Sequence, residues 1–183
     1  MTGDQPGSIA HMVSVARLPQ NGMPLRLTAN EKERRALAKE HGLVSVQSFK
    51  AELLIKKWRK DGVKITGNVA AEITQSCVIT LEPMVSRVEN EIDAVFVQEG
   101  SKLARPPLSA DGEIIIDYEG ADLPETFAGD AIDVGALAEE FFGLAVDPYP
   151  RKPGAVLQEA LQDTDLGTPR PSPFASLIKF RKE

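Results

Sequence analysis

The sequence predicts an α+β fold in which an antiparallel meandering sheet, able to curl into a half-barrel, carries two main helices at about residues 29–41 and 133–144. Apolar and polar residues alternate along three long runs between residues 43 and 97, which is typical of strands with one buried face. Helical spacing and capping residues mark two other stretches. Aromatic residues make up only 5% of the chain, so Val, Ile, Leu and Ala must fill most of the core.

The first elements are two short strands and a helix. Residues 12–18 and 25–27 are short apolar runs separated by turn-forming residues. Thr28 and Glu31 have the spacing of a capping box, in which each side chain satisfies a free amide at the start of a helix. Gly42 is a natural C-terminal stop. We therefore expect the first helix to end before this glycine. Its apolar stripe is thin, so we expect it to lie on the surface of the sheet.

The strongest local signal is a long hairpin. Residues 43–58 are rich in Val, Leu and Ile, Asp61-Gly62 interrupts them, and residues 63–78 alternate again. Two alternating runs that flank Asp-Gly predict a β-hairpin. A third alternating run at 85–97 extends this hairpin into an antiparallel meander.

The C-terminal half predicts one more strand and the second helix. An Ile-rich run at 113–118 favours a strand, and Val134 and Leu137 follow Asp133, a suitable N-cap, at helical spacing. We expect a flexible N-terminal tail at 1–11, a single α+β domain at 12–160, and a Pro-rich linker with a C-terminal tail at 161–183.

Basic residues surround the predicted hairpin turn, where only Glu52 and Asp61 oppose them. Lysine and arginine bind phosphate by charge, and an exposed Trp can stack on an unpaired base. The alternative is a solvated hairpin end whose lysines keep it soluble and whose Trp packs on the neighbouring sheet. The RNA-binding candidates are Lys50, Lys56, Lys57, Trp58, Arg59, Lys60 and Lys64.

Acidic residues accumulate in residues 106–148, which contain no Lys or Arg. Such a surface repels RNA and attracts basic proteins. A generic acidic surface is the alternative. Asp117 and Glu119 share a face of the predicted strand, but no second polar cluster accompanies them, so we expect neither catalysis nor metal binding there.

Signals for catalysis, cofactors and membranes are missing from the sequence. It has no phosphate-binding glycine loop, nucleophile elbow or zinc-binding His pair, and only two His and one Cys. We expect no enzyme activity, no catalytic residue, no metal, no cofactor and no small-molecule substrate. The chain also lacks a secretory signal and the roughly 20 apolar residues of a membrane helix. We therefore expect a cytoplasmic protein that does not engage a membrane.

Four stretches carry a family resemblance by their order and spacing. They lie within residues 25–42, 67–83, 132–150 and 172–179, and they include Gly67, Gln75, Cys77, Thr80, Leu81, Glu82, Pro83, Asp133, Glu139, Glu140, Pro173 and Phe174. In these features the chain resembles the YceD-like family of bacterial and plastid proteins. The stretch at 147–154 is similar to that of alphaproteobacterial members.

One position departs from the pattern of this family. Many members carry a second cysteine three residues after the first, where this chain has Thr80. A metal or redox role of a cysteine pair therefore cannot operate here. Cys77 itself is expected to be a small buried residue, because no cation or helix N-terminus near it in sequence would activate a thiolate.

The resemblance implies a role in the accumulation of large-subunit ribosomal RNA and hence in ribosome assembly. Our first hypothesis is a non-enzymatic factor that binds large-subunit ribosomal RNA or its precursor through the basic hairpin. The alternative is a protein-binding module whose acidic C-terminal half holds a basic ribosomal protein, without direct RNA affinity. A third reading, an enzyme, would need polar side chains clustered in a deep pocket.

Overall fold

Residues 8–104 and 123–155 are described by a computed structural model. They form one five-stranded sheet, a separate pair of short strands and two helices. The elements are β1 (Met12–Ser14), β2 (Met23–Thr28), α1 (Glu31–Glu40), β3 (Ser45–Trp58), β4 (Gly62–Ser76), β5 (Pro83–Gln98), β6 (Glu125–Phe127), β7 (Ala131–Asp133) and α2 (Val134–Ala145).

The five-stranded sheet has the order β2-β3-β4-β5-β6. Neighbours from β2 to β5 are antiparallel, which confirms the predicted α+β fold with an antiparallel meander. The short strand β6 differs, because it pairs in parallel with the end of β5. Strands β1 and β7 pair with each other outside this sheet. Among the described strands the sheet is open, with β2 and β6 at its edges.

The two faces of the sheet have different roles. In β4, Val63 and Ile65 are fully buried, whereas Lys64 between them has the opposite phase. The buried face packs against the helices, and the rings of Phe49 in β3 and Phe142 in α2 meet edge to face with centroids 5.6 Å apart. The opposite face, called the outer face, carries mostly exposed or half-buried side chains and is therefore open to solvent.

Helix α1 begins at a different cap from the expected one. The side chain of Asn30 accepts the Glu33 amide at 3.1 Å, and the Glu33 carboxylate accepts the Asn30 amide at 2.7 Å. The expected capping box of Thr28 and Glu31 is wrong, because Thr28 is the last residue of β2 and still pairs with Lys50 of β3. Gly42 follows the helix with a φ of 63°, as a C-terminal stop requires.

Helix α2 begins at the predicted cap. The carboxylate of Asp133 accepts the amides of Gly135 at 3.0 Å and Ala136 at 3.1 Å, and it also accepts the His11 amide at 2.8 Å. A Cβ on Gly135 would lie 2.4 Å from the carbonyl oxygen of Ile9, so only glycine allows this close approach. The start of α2 is thus joined to the N-terminal segment.

The chain divides into two units, Met1–Lys152 and Pro153–Glu183, and residues 153–155 are the described part of the second. The strand expected at 113–118 lies outside the described residues. The expected tail at 1–11, domain at 12–160 and linker with C-terminal tail at 161–183 stay predictions. No described helix has the length and apolar character needed to cross a membrane.

Candidate nucleic-acid interface

The hairpin tip, defined as residues 56–64, joins β3 to β4. Trp58 and Gly62 are the last paired residues, so residues 59–61 make the turn. The predicted hairpin is confirmed, but the left-handed residue in the turn is Arg59, with a φ of 52°, and not the glycine.

Asp61 fastens the hairpin tip to the end of β5. Its main-chain oxygen accepts the Gln98 amide at 3.2 Å, and its carboxylate accepts the Ser101 hydroxyl at 3.2 Å. The single acidic residue of the turn therefore orders the tip as well as opposing its charge.

The basic candidates lie on two sides of the sheet. Lys56 and Lys64 are cross-strand partners whose side chains share the outer face. Lys50 has the same phase six residues earlier in β3, which places it about 20 Å from Lys56. Lys57 has the opposite phase and pairs with the fully buried Val63. The tip is thus basic on both sides rather than on one continuous face.

A cleft of about 660 Å³ lies beside Lys57. Lys57 and Lys60 line it together with Asp61 and Glu99, so two cations face two carboxylates. The charges of these four side chains sum to zero, so the cleft itself has no net positive charge.

Five of the seven candidates are exposed cations that make no ion pair with another described residue. Lys64 is paired, since its ammonium lies 2.9 Å from the Asp93 carboxylate on β5. Exposed cations of this kind are available to phosphate oxygens. The five are Lys50, Lys56, Lys57, Arg59 and Lys60.

Trp58 is half-buried and packs within the hairpin. A Cβ on Gly62 would lie 2.7 Å from the Cε3 atom of the indole, so the ring occupies the space that a side chain at this glycine would fill. The Arg59 guanidinium carbon lies 4.3 Å from the ring centroid, in a cation–π contact. The indole therefore contacts its own hairpin and also carries a cation.

The acidic half is only partly described, because residues 105–122 lie outside the described part. Glu125 and Glu140 are exposed to solvent, but partial burial of the Glu125 carboxyl, and then the neighbouring Glu140, raises the pKa of Glu125. The effect of Glu140 on Glu125 means that the two carboxylates lie close in space. Asp133 caps α2 and is not free to bind a partner.

Residues 77–82, called the Cys77 loop, connect β4 to β5 at the opposite end of β4 from the hairpin tip. Hydrogen bonds and an ion pair connect this loop, and Gln75 just before it, to residues 147–152. The contacts join the Gln75 side-chain amide to the Asp147 main-chain oxygen (2.8 Å), the Val78 amide to the Pro150 oxygen (2.9 Å), and the Lys152 ammonium to the Glu82 carboxylate (2.7 Å).

The thiol of Cys77 is fully buried in this loop. A hydrogen bond with the Thr80 side chain, followed by one from the Lys152 amide, lowers the pKa of Cys77 to about 6. The Lys152 amide lies 3.4 Å from Sγ. From the sequence we considered only a cation or a helix N-terminus near Cys77, whereas the first cause is the Thr80 side chain three residues away. The Lys152 amide, 75 residues away, leaves no local signal. Within the described part of the chain, no cluster of three or more His, Cys, Asp or Glu is placed to hold a metal.

Exposed apolar side chains accompany this buried thiol. Leu81 is 76% exposed and adopts a φ of 58°, and Tyr149, beside the Pro150 contact, is 71% exposed. The Cys77 loop therefore differs from the hairpin tip in its chemistry, which is apolar rather than cationic.

Other family-motif positions have roles inside the fold. A Cβ on Gly67 would lie 2.0 Å from the Glu52 carbonyl oxygen, so β3 and β4 approach closely there. Glu139 is buried; its carboxylate accepts the Ile9 amide at 3.3 Å and lies 3.7 Å from Nε2 of His41. Burial opposes ionisation of Glu139, but His41, the Ile9 amide and Ser8 hold its pKa below the usual value. Pro173 and Phe174 lie outside the described residues.

A family model described as "Large ribosomal RNA subunit accumulation protein YceD" matches residues 65–180, which is more than half of the chain. The chain therefore belongs to the YceD family, whose name implies a role in the accumulation of large-subunit ribosomal RNA. The match includes most of β4, the Cys77 loop and α2, whereas the hairpin tip up to Lys64 precedes it. No curated protein and no solved structure matches the chain.

Proposed function

We propose that this YceD family member supports large-subunit ribosomal RNA accumulation as a non-enzymatic factor in the cytoplasm, and that it contacts that RNA or its precursor through the hairpin tip. The observation that supports the proposal is the set of exposed cations at and near the tip that make no ion pair with a described residue. Because the whole chain has a net charge of −6, RNA contact would be local rather than spread over the surface.

Contacts to phosphate supply affinity without choosing a sequence. Each neutralised phosphate releases counterions, so binding through the tip weakens as salt rises. Specificity for large-subunit RNA would then come from RNA shape or from a second contact elsewhere on the protein.

The proposal is tested by measuring binding to large-subunit ribosomal RNA fragments across a salt series. Reversing the tip charges together (Lys56→Glu, Lys57→Glu, Arg59→Glu and Lys60→Glu) is expected to weaken binding at least about tenfold and to flatten its salt dependence. The matched control changes the net charge equally elsewhere, through Arg17→Glu, Lys32→Glu, Arg35→Glu and Lys39→Glu. Equal loss in both variants, or none in the tip variant, would reject the hairpin tip as the RNA contact.

A second candidate function is binding of a basic ribosomal protein by the acidic half. It is favoured by the proximity of Glu140 to Glu125, because Glu140 helps to raise the pKa of Glu125 and a cationic partner would offset that effect. Capture of partners from lysate, with and without nuclease, distinguishes the two functions. Ribosomal proteins that stay bound after nuclease and are lost with Glu125→Gln and Glu140→Gln support protein binding, whereas loss of all partners after nuclease rejects it.

A further inference from the structure

The contact between Trp58 and Arg59 determines whether the indole ring is free to stack on a nucleobase. The indole occupies the space beside Gly62, and the Arg59 guanidinium lies over the ring at 4.3 Å from its centroid. A nucleobase that stacked on this ring would have to displace the guanidinium and lose the cation–π contact. The ring is therefore occupied by a cation before any ligand arrives.

The backbone of Arg59 supports the same conclusion. Its φ of 52° is in the left-handed region, where Gly, Asn or Asp are the residues with the least strain. A long side chain at this position is held on the indole beside it in sequence. Backbone strain of this kind is concentrated at functional sites of proteins.

The cations around Arg59 match a phosphate backbone better than separate bases. Lys56 and Lys60 flank the Trp58–Arg59 pair in sequence, are exposed, and make no ion pair with a described residue. The guanidinium has a planar set of donors that fits phosphate oxygens, and stacking on an aromatic ring keeps that plane in place. Paired RNA presents phosphates and 2′-hydroxyls at its surface and keeps its bases stacked inside.

We propose that the hairpin tip recognises the backbone of paired RNA, with Arg59 contacting phosphate and Trp58 acting as the residue that positions Arg59 rather than as a stacking platform for an unpaired base. This inference rests on the proposed function, because it requires that the tip is the RNA contact.

Trp58 is the only tryptophan of the chain, so its fluorescence reports directly on the tip. With the full-length protein, titration with a short RNA duplex is expected to leave the emission nearly unchanged at saturation. A single-stranded RNA of the same length is expected to bind no more tightly than the duplex. Strong quenching by the single strand, together with tighter single-strand binding, would overturn the inference in favour of base stacking.

A double-substitution cycle separates positioning from direct contact. Arg59→Gln is expected to weaken duplex binding about fivefold, and Trp58→Ala about threefold, because the latter frees the guanidinium without removing it. In the Arg59→Gln background Trp58→Ala should have little further effect. Additive losses would mean that Trp58 contacts RNA itself. Trp58→Phe, which keeps an aromatic face, should restore most of the binding and tests the same point if Trp58→Ala unfolds the hairpin.

Failure of this inference can be distinguished from failure of the proposed function. Suppose that reversing the four tip charges together abolishes binding, while the losses from Trp58→Ala and Arg59→Gln are additive. The tip then binds RNA by base stacking, and only the inference fails. If the charge reversal leaves binding intact, the proposed function fails first.

Discussion

The two ends of β4 differ in almost every physical respect. This strand has 15 residues, which places the hairpin tip and the Cys77 loop about 45 Å apart. The tip carries exposed cations, most of them without an acidic partner among the described residues, whereas the loop is tied to residues 147–152 by hydrogen bonds and buries a thiol. The tip is suited to binding by charge, and the loop to holding a distant segment in place.

The family match sharpens this contrast. It begins at residue 65, so the Cys77 loop lies within it and the cations of the tip do not. If the family's role depends on features shared by its members, the loop is expected to matter for structure or for a common partner. The tip would then add RNA affinity to this chain. Substitutions at each end can separate the two contributions.

The largest expected effect on stability comes from Gly67, where β3 and β4 approach each other closely between the hairpin tip and the Cys77 loop. Gly67→Ala places a Cβ 2.0 Å from the Glu52 carbonyl oxygen. Because both atoms belong to central strands, we expect destabilisation of about 3 kcal/mol or more, and loss of order at both ends of β4. Urea denaturation measures it, with the exposed neighbour Asn68→Ala as the control. A Gly67→Ala protein of unchanged stability would contradict this close approach of β3 and β4.

The next largest effect on stability concerns the hydrogen bond between Gln75 and Asp147 beside the Cys77 loop. Gln75→Ala removes a buried side chain whose amide donates to the Asp147 oxygen at 2.8 Å. We expect a loss of about 1–2 kcal/mol, since the Asp147 oxygen is left without this donor. The matched control is Gln98→Ala, whose exposed side chain donates to a carbonyl at 3.1 Å and should cost less than about 0.5 kcal/mol. Equal losses of stability in the two variants would mean that burial does not strengthen the hydrogen bond between Gln75 and Asp147.

A smaller effect should depend on pH and occur only at the Cys77 loop. The Thr80 side chain is the first cause that holds the pKa of Cys77 at about 6, below the ordinary 9.0. The folded state therefore keeps the thiolate at lower pH than the unfolded chain does, so this contribution is complete above pH 9.0, declines toward pH 6 and is absent below it.

Thr80→Val tests this linkage. The difference in unfolding free energy between the native protein and the variant should be larger at about pH 9 than at about pH 5, and the thiolate absorbance of the variant should appear at higher pH. Cys77→Ala provides the control without a thiol. A pH-independent difference would show that Thr80 acts through packing alone.

The smallest expected effect compares one ion pair at each end. Asp93→Asn frees Lys64 near the tip, and Glu82→Gln frees Lys152 at the loop. Because both pairs are largely exposed, each change should cost less than about 0.5 kcal/mol of stability. Only Asp93→Asn should tighten RNA binding, by about twofold, through one more free cation. Tighter binding by Glu82→Gln instead would place the RNA contact at the loop.

The three long strands β3 to β5, the hairpin and the cap of α2 could be predicted from the sequence because their signals are local, whereas the three-residue strands β6 and β7 could not. Alternation gives the strand phases, and Asp133 precedes an apolar run at helical spacing. The cap of α1 was mistaken because Thr28–Glu31 and Asn30–Glu33 have the same spacing. Only the pairing of Thr28 with Lys50 of β3, which keeps Thr28 in the sheet, decides between them.

The candidate site was predicted less completely. Alternation alone separates Lys56 from Lys57, so their opposite faces could have been anticipated from period two. The contact between Arg59 and Trp58 depends on the left-handed conformation of Arg59, which an arginine in the sequence does not indicate. The hydrogen bond from Lys152 to the Cys77 thiol joins residues 75 apart in sequence, and no local pattern indicates it.

The most direct test of the RNA contact is site-specific photo-cross-linking at the two ends of β4. A photoreactive side chain replaces Lys60 at the hairpin tip in one protein and Leu81 in the Cys77 loop in another, since both residues are exposed. With large-subunit ribosomal RNA fragments, we predict a salt-sensitive cross-link from position 60 and none from position 81. A cross-link from position 81 without one from position 60 would contradict the account.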